Sequence, residues 1–380
     1  MNKIIYIGVN DHKIDLFEGQ YKVNNGISYN SYLIKDELTV VMDSVDYDFR
    51  YEWLNNIECA LEGKSPDYLV VQHMEPDHSG SIEAFINKYP NATIVGNKQI
   101  KMMLQNFFPN LVINNYLEVK ENDKLILGEV SLQFIFAPFV HWPEVMMTYS
   151  SELKALFSAD GFGKFGALDV EEDWTSEARR YYIGIVGKYG LNVQNLLKKA
   201  SNLEIKAIYP LHGPVLDDNL DYYLDLYNKW SSYSVEKEAI VIACSSVYGN
   251  TLKAAKYLES KIKSLGYENV MLYDLARSDK HEVIAQAFAS SKLVLATITY
   301  NGGIFPHMEE FINGLTERNY QSRTVAMIEN GSWAPVAAKV MKEHFQNSKN
   351  LEILNPVKIK SALNEITISE LDELANLLVK

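Results

Sequence analysis

The chain has 380 residues, 47% of them hydrophobic, and its 49 acidic against 36 basic side chains give a net charge of −13. That length accommodates two domains, the acidity argues against a nucleic-acid partner, and two cysteines, Cys59 and Cys244, are too few for a disulfide framework. No apolar run approaches the ~20 residues of a membrane span, and the apolar start Ile4-Ile5-Tyr6-Ile7 reads as a first strand instead of a leader, so a cytoplasmic protein with no membrane partner is expected.

Strand-like and helix-like stretches alternate through the first half. Strands are predicted at residues 3–9, 31–34, 38–43 and 93–95, and helices near residues 48–61 and 81–88. Between them the apolar run Tyr68-Leu69-Val70-Val71 reads as a buried strand and leads straight into His73-Met74-Glu75-Pro76-Asp77-His78. Four metal-capable side chains thus stand in one turn at the C-terminal end of a strand, where open α/β sheets place their active sites. One ion rarely takes four ligands from so short a turn, because alternate residues point in different directions. His73 and Glu75 can face one ion while Asp77 and His78 face a second. A polar turn with a satisfied histidine is the plainer reading of an isolated H-x-E.

Three more ligand types recur at the ends of strand-like runs, each followed by a turn signal. His141 opens His141-Trp142-Pro143-Glu144 after the apolar residues 132–140. Asp160 closes residues 155–160 ahead of Gly161, and His212 follows residues 205–211 ahead of Gly213-Pro214. The remaining histidines, His12, His281, His307 and His344, lie in polar or helical settings and are expected at the surface. Residues 174–201 read as helical and 217–230 as an amphipathic helix. The polar stretch 231–238 lacks periodicity, and the boundary is placed after Glu238, giving domains 1–238 and 239–380.

The second half opens with the β-rich run Ala239-Ile240-Val241-Ile242-Ala243-Cys244. It ends in Ser245-Ser246-Val247-Tyr248-Gly249-Asn250-Thr251, with a helix predicted from Leu252. Hydroxyls, an asparagine, a glycine and free N–H groups at a helix N-terminus make a phosphate cradle. The loop lacks the Walker lysine and the three spaced glycines of a dinucleotide fingerprint. A terminal monophosphate suits such a neutral loop; a plain strand-to-helix turn is the alternative. Two further strand-like runs lead to Thr299-Tyr300-Asn301-Gly302-Gly303 and to Gly331-Ser332-Trp333. Trp333 can equally be read as a core tryptophan.

The set His73, Glu75, Asp77, His78, His141, Asp160 and His212 resembles the metallo-β-lactamase fold, most closely its flavodiiron protein branch. The loop from Ser246 through Thr251 resembles the FMN loop of flavodoxins. Zinc hydrolases of the first fold carry H-x-H-x-D-H, with a histidine where this chain has Glu75. A carboxylate there adds charge and a hard oxygen donor, which suits iron better than zinc. The resemblance implies an α/β chain, with an N-terminal αββα metallo-β-lactamase-like sandwich and a C-terminal flavodoxin-like doubly wound parallel sheet, and nothing further. It implies two Fe ions, one on His73, Glu75 and His141, the other on Asp77, His78 and His212, with Asp160 bridging. In some family members the histidine matching His78 swings away. It also implies FMN, its phosphate on Ser246, Val247, Tyr248, Gly249, Asn250 and Thr251. Thr299, Tyr300, Asn301, Gly302, Gly303, Ser332 and Trp333 would flank its ring. No catalytic residue beyond the metal ligands is implied.

Such proteins reduce O2 to water or NO to N2O, with FMN relaying electrons from a rubredoxin-type or other reduced donor. They protect anaerobic or microaerobic cells and work as head-to-tail homodimers or dimers of dimers. Two other readings remain at this point: a zinc hydrolase fused to a flavodoxin, and an electron carrier whose metal domain is only structural. Charge is divided unevenly, since residues 239–380 carry 15 basic and 15 acidic side chains and residues 1–238 hold the whole net charge. Lys253, Lys256, Lys261 and Lys263 cluster behind the phosphate loop, either as a docking face for an acidic donor or as a solvated helix face.

Overall fold

In the computed structural model, which describes residues 3–380, the run Tyr68–Val70 becomes an interior strand of a six-stranded sheet. Its order is Ile4–Tyr6, Tyr32–Lys35, Thr39–Met42, Tyr68–Val70, Thr93–Gly96 and Tyr116–Glu118. The first two pairings are antiparallel, and from Thr39–Met42 onward the strands run parallel. A second sheet of five strands follows in the order Lys124–Ile126, Ser131–Phe136, Met146–Ser150, Ala155–Phe157 and Ala207–Tyr209. Tyr32 of the first sheet packs on Phe157 and Tyr209 of the second, ring centroids 5.8 and 5.2 Å away.

Side-chain alternation with period two explains the layering. Phe134, Met146 and Phe157 point into the shared core with Leu33, Val41 and Leu69. Their chain neighbours Ile135, Met147 and Leu156 point the other way, toward Val193 and Leu196 of the helix Gly190–Ala200. The result is an αββα sandwich.

One sequence expectation changes here and another gains detail. The strand expected over residues 3–9 stops at Tyr6, and Val9–Asp11 pairs instead with Ile27–Tyr29. The stretch expected to be helical over 174–201 is helical, but in consecutive pieces: Trp174–Tyr181, a π-turn at Tyr182–Val186, a 3-10 turn at Gly187–Tyr189 and Gly190–Ala200. Close approach at Gly184 accompanies the break. Tyr21 donates a hydrogen bond to its carbonyl at 2.8 Å, and a Cβ there would stand 2.7 Å from the Tyr21 ring. π-Turns of this kind often mark functional sites.

The chain divides into two units, Met1–Asn228 and Lys229–Lys380, so the division falls at Asn228 instead of Glu238. The reason is local. The Arg323 guanidinium donates to the carbonyls of Tyr233, Ser234 and Phe288, and Trp230 Nε1 donates to Glu236 at 2.7 Å. These bonds draw the polar stretch into the second unit.

That unit is a parallel sheet in the order Val270–Asp274, Lys237–Cys244, Ser290–Tyr300, Thr324–Asn330, with Glu352–Ile353 and Val357–Ile359 on the last strand. By chain position this is 2-1-3-4-5, the doubly wound order whose switch point lies between the first and third strands. Buried on both faces, its central strands read as continuous apolar runs. Ile240, Ile242, Val294 and Ala296 pack against Ala255 and Leu258 of the helix Asn250–Ser264 and Leu371 and Leu374 of Glu365–Leu378.

Candidate functional site

All seven expected metal-capable side chains converge in the first unit, and their donor atoms fall into two groups. Pro76 at the first position of a one-turn helix, Pro76–Ser79, turns the chain after Glu75. His73 and Glu75 therefore face one way, Asp77 and His78 the other. His141 follows the turn that ends Ser131–Phe136, Asp160 the end of Ala155–Phe157, and His212 the end of Ala207–Tyr209.

In the first group His141 Nε2 lies 3.0 Å from both Glu75 Oε2 and Asp160 Oδ2, and His73 Nε2 lies 3.3 Å from each of the same two oxygens. In the second, His78 Nε2 and His212 Nε2 are 3.0 Å apart and stand 3.3 and 3.2 Å from Asp77 Oδ2. Asp160 serves both, since its other oxygen, Oδ1, is 3.2 Å from His78 Nε2. Every member is buried, Glu75 being the most exposed at 9%.

This geometry is poor for a protein alone and good for one holding cations. Both oxygens of Asp77 and Oδ1 of Asp160 are buried without a hydrogen-bond partner, a costly state for a carboxylate. Burial pushes Asp77 up to about 7, and the Glu75 and Asp160 carboxylates add to the rise. Against the cost of its own burial, Asp160 is held well below the usual carboxylate range by His73 and His78. With donors ~2.1 Å from an ion, neighbouring donors at right angles stand ~3.0 Å apart, close to the spacings observed. Six imidazole and carboxylate partners plus one shared carboxylate therefore fit a pair of divalent or trivalent cations.

The outer contacts were not legible as such in the sequence. Glu144, which ends the quoted His-Trp-Pro-Glu, accepts from His73 Nδ1 at 2.9 Å, and His212 Nδ1 donates to the Ser28 carbonyl at 2.7 Å. Tyr181, at the end of the broken helix, sets its ring 5.4 Å from that of His212, its hydroxyl buried without a partner. The one available sequence signal was a carboxylate three residues past His141; nothing marked Tyr181. An apolar cavity of about 460 Å³ lies on the outer face of the second sheet, and none of the seven side chains lines it. The site is identified by its donors, not by concavity.

In the second unit the expected loops stand at the C-terminal ends of Lys237–Cys244, Ser290–Tyr300 and Thr324–Asn330. The helix starts at Asn250, two residues earlier than expected, with Gly249 as its N-cap at φ 89°, where a side chain would be strained. Gly249 N donates to Ser246 Oγ at 3.1 Å, and the Thr251 hydroxyl is buried without a partner. Val247 and Tyr248 are exposed, Tyr248 at 94%. Thr299 Oγ1 accepts from the N–H groups of Val336 and Ala337 and so supports the neighbouring loop. Asn301 and Gly302 take positive φ, Gly303 pairs with Tyr300, and Tyr300 leans edge-on against Phe305. Ser332 Oγ meets Ser361 Oγ at 2.6 Å. Trp333 is no core residue: it is 83% exposed.

A sequence model described as the ODP family beta lactamase matches residues 27–213, the segment that carries all seven donors. The anaerobic nitric oxide reductase flavorubredoxin of Vibrio vulnificus is 28% identical over 346 residues, covering 87% of this chain and 69% of that protein. The flavodiiron protein of Giardia intestinalis superposes over 100% of this chain and 95% of its own, with a TM-score of 0.92 and 26% identity. The chain is similar to flavodiiron proteins over its whole length. The rubredoxin oxygen:oxidoreductase of Desulfovibrio gigas, 22% identical, shares the fold over 100% of this chain and 96% of its own, at a TM-score of 0.92.

Within the flavodiiron fold, two of the four lysines behind the phosphate loop are engaged locally. Lys261 pairs with Asp372 at 3.0 Å and Lys263 with Glu259 at 2.7 Å, leaving Lys253 and Lys256 exposed. Among the described residues no helix is long and apolar enough to cross a membrane.

Proposed function

We propose that this chain is an FMN- and diiron-dependent oxidoreductase that reduces O2 to water, NO to N2O, or both, with electrons from a rubredoxin-type donor. The observation that carries the reading is the divided carboxylate of Asp160, one oxygen toward each donor group. In this reading His73, Glu75 and His141 hold one iron, Asp77, His78 and His212 the other, and Asp160 bridges. Glu75, a hard oxygen donor, favours iron over zinc. FMN rests its phosphate on residues 246–251, where Thr251 offers an unpartnered hydroxyl and the helix its N-terminus. Residues 299–303 with Ser332 and Trp333 flank its ring, and the exposed aromatic faces of Tyr300 and Trp333 are available to it.

With both groups bound, FMN and the iron pair together supply the four electrons that reduction of O2 to water requires. The chain's own part is to bury the donors so that solvent ligands are few, and to hold them with outer hydrogen bonds at Glu144 and Ser28. The unit that carries the seven metal-capable side chains is the iron domain, and the unit that carries the phosphate loop is the FMN domain. The working unit is a head-to-tail homodimer, alone or doubled, in the cytoplasm of an anaerobic or microaerobic cell that must remove O2 or NO.

The test is to mix the anaerobically reduced protein with O2 and with NO in parallel and follow reoxidation by stopped flow. Rapid reoxidation by at least one gas is expected, yielding water without peroxide or N2O respectively. A reduced protein inert to both gases would be an electron carrier, and a zinc-filled site would point to a hydrolase.

The flavin site has its own test. Removing the hydroxyls of Ser246 and Thr251 should weaken FMN binding, because each hydrogen bond to a charged phosphate contributes ~1.5–3 kcal/mol. Iron content should stay unchanged, since the metal donors all lie in the other unit. Full FMN occupancy in the double alanine variant, measured by fluorescence titration, would mean the phosphate is bound elsewhere.

A further inference from the structure

We infer that Glu144 is a positioning residue whose charge, acting through His73, makes the iron on His73, Glu75 and His141 the more easily oxidised of the two. The inference rests on the diiron reading and deepens it.

Glu144 is fully buried. Its Oε1 accepts two hydrogen bonds, from His73 Nδ1 and from the Met74 backbone N–H, both at 2.9 Å, while Oε2 is buried without a partner. The residue is held in place from both sides. Asn97 Nδ2 donates to its main-chain carbonyl at 2.7 Å, and Met146 N, two residues on, donates to the Gln72 carbonyl at 3.1 Å. The segment that supplies His141 is thereby clamped to the segment that supplies His73.

The other imidazoles are treated differently. His212 Nδ1 donates to a neutral carbonyl, that of Ser28, and His78 Nδ1 is buried with no partner. Among the described residues, His73 is the one metal-facing imidazole whose far nitrogen meets a carboxylate. A ring bound to a cation through Nε2 keeps its proton on Nδ1, and a carboxylate drawing on that proton makes the ring a stronger electron donor. Within a buried site the effect is weakly screened. Stronger donation stabilises Fe(III) over Fe(II), so one-electron oxidation of the diferrous centre should place the ferric ion on the His73 side.

Glu144→Gln separates charge from hydrogen bonding. The amide oxygen can accept both bonds that Oε1 accepts, and the NH2 replaces the partnerless Oε2. The full chain, loaded with FMN and iron, should keep two irons, but one should leave to a chelator roughly 10–100-fold faster, the usual cost of an outer-shell change. The first oxidation potential of the centre should rise, and the Mössbauer signal of one iron should change while the FMN potentials stay as in the wild type. Glu144→Asp, which keeps the charge one methylene further away, should fall between the two and serves where the glutamine variant fails to fold. Wild-type potentials, Mössbauer spectra and iron release in Glu144→Gln, or an aspartate variant indistinguishable from it, would overturn the inference and leave Glu144 a hydrogen-bonding strut. A wild-type protein that takes up no iron pair would instead overturn the diiron reading.

Discussion

An Asp160→Ala protein should purify with both metal positions empty, where the wild type carries about two irons per chain. The expectation follows from the sharing of one side chain. Asp160 Oδ2 lies among His73, Glu75 and His141, and Oδ1 lies 3.2 Å from His78 Nε2. Removing it takes a carboxylate oxygen from each group and, among the described residues, the side chain they share. It also leaves four imidazoles crowded at 3.0–3.3 Å with less negative charge to hold cations together. Metal analysis with a folding control by circular dichroism reads the result. One fully occupied iron site would contradict the bridging assignment.

A Glu75→Ala protein should lose turnover of both gases by more than the ~10–100-fold that an outer partner contributes, yet its flavin should still bleach with an added donor. Glu75 lies 3.0 Å from His141 Nε2 and 3.3 Å from His73 Nε2, so it belongs to the first donor group and to no part of the flavin loops. Slow O2 uptake should persist, because free reduced flavin reacts with O2, and it should yield peroxide instead of water. Measuring peroxide beside O2 consumption separates the two routes. Peroxide-free O2 reduction at the native rate would place the reaction away from the metal centre.

Much of the site was readable because the donors follow the ends of apolar, strand-like runs. Tyr68-Leu69-Val70-Val71 ahead of His73 and the run ahead of His141 carry their signal in a handful of adjacent residues. Glu144 was visible as a letter but not as a partner of His73, because the contact spans 71 positions and follows from how two strand ends meet. The break in the helix at Tyr182–Val186 was equally hidden. Its helix-compatible composition matches the expectation over residues 174–201, and only the approach of Tyr21, 163 positions away, shows what stands against Gly184.

The sequence by itself therefore determined the two-part α/β plan, the strand-end position of all seven metal-capable side chains and the strand-to-helix loop at Ser246, since these depend on residue type and near neighbours. Tertiary structure decided the rest: which oxygen of Asp160 faces which histidine, that Glu144 backs His73 while a carbonyl backs His212, that Tyr181 stands beside His212, and that residues 229–238 pack with the second unit. Such contacts join segments far apart in the chain, and their geometry is set by the packing of whole sheets and helices, which no local pattern encodes.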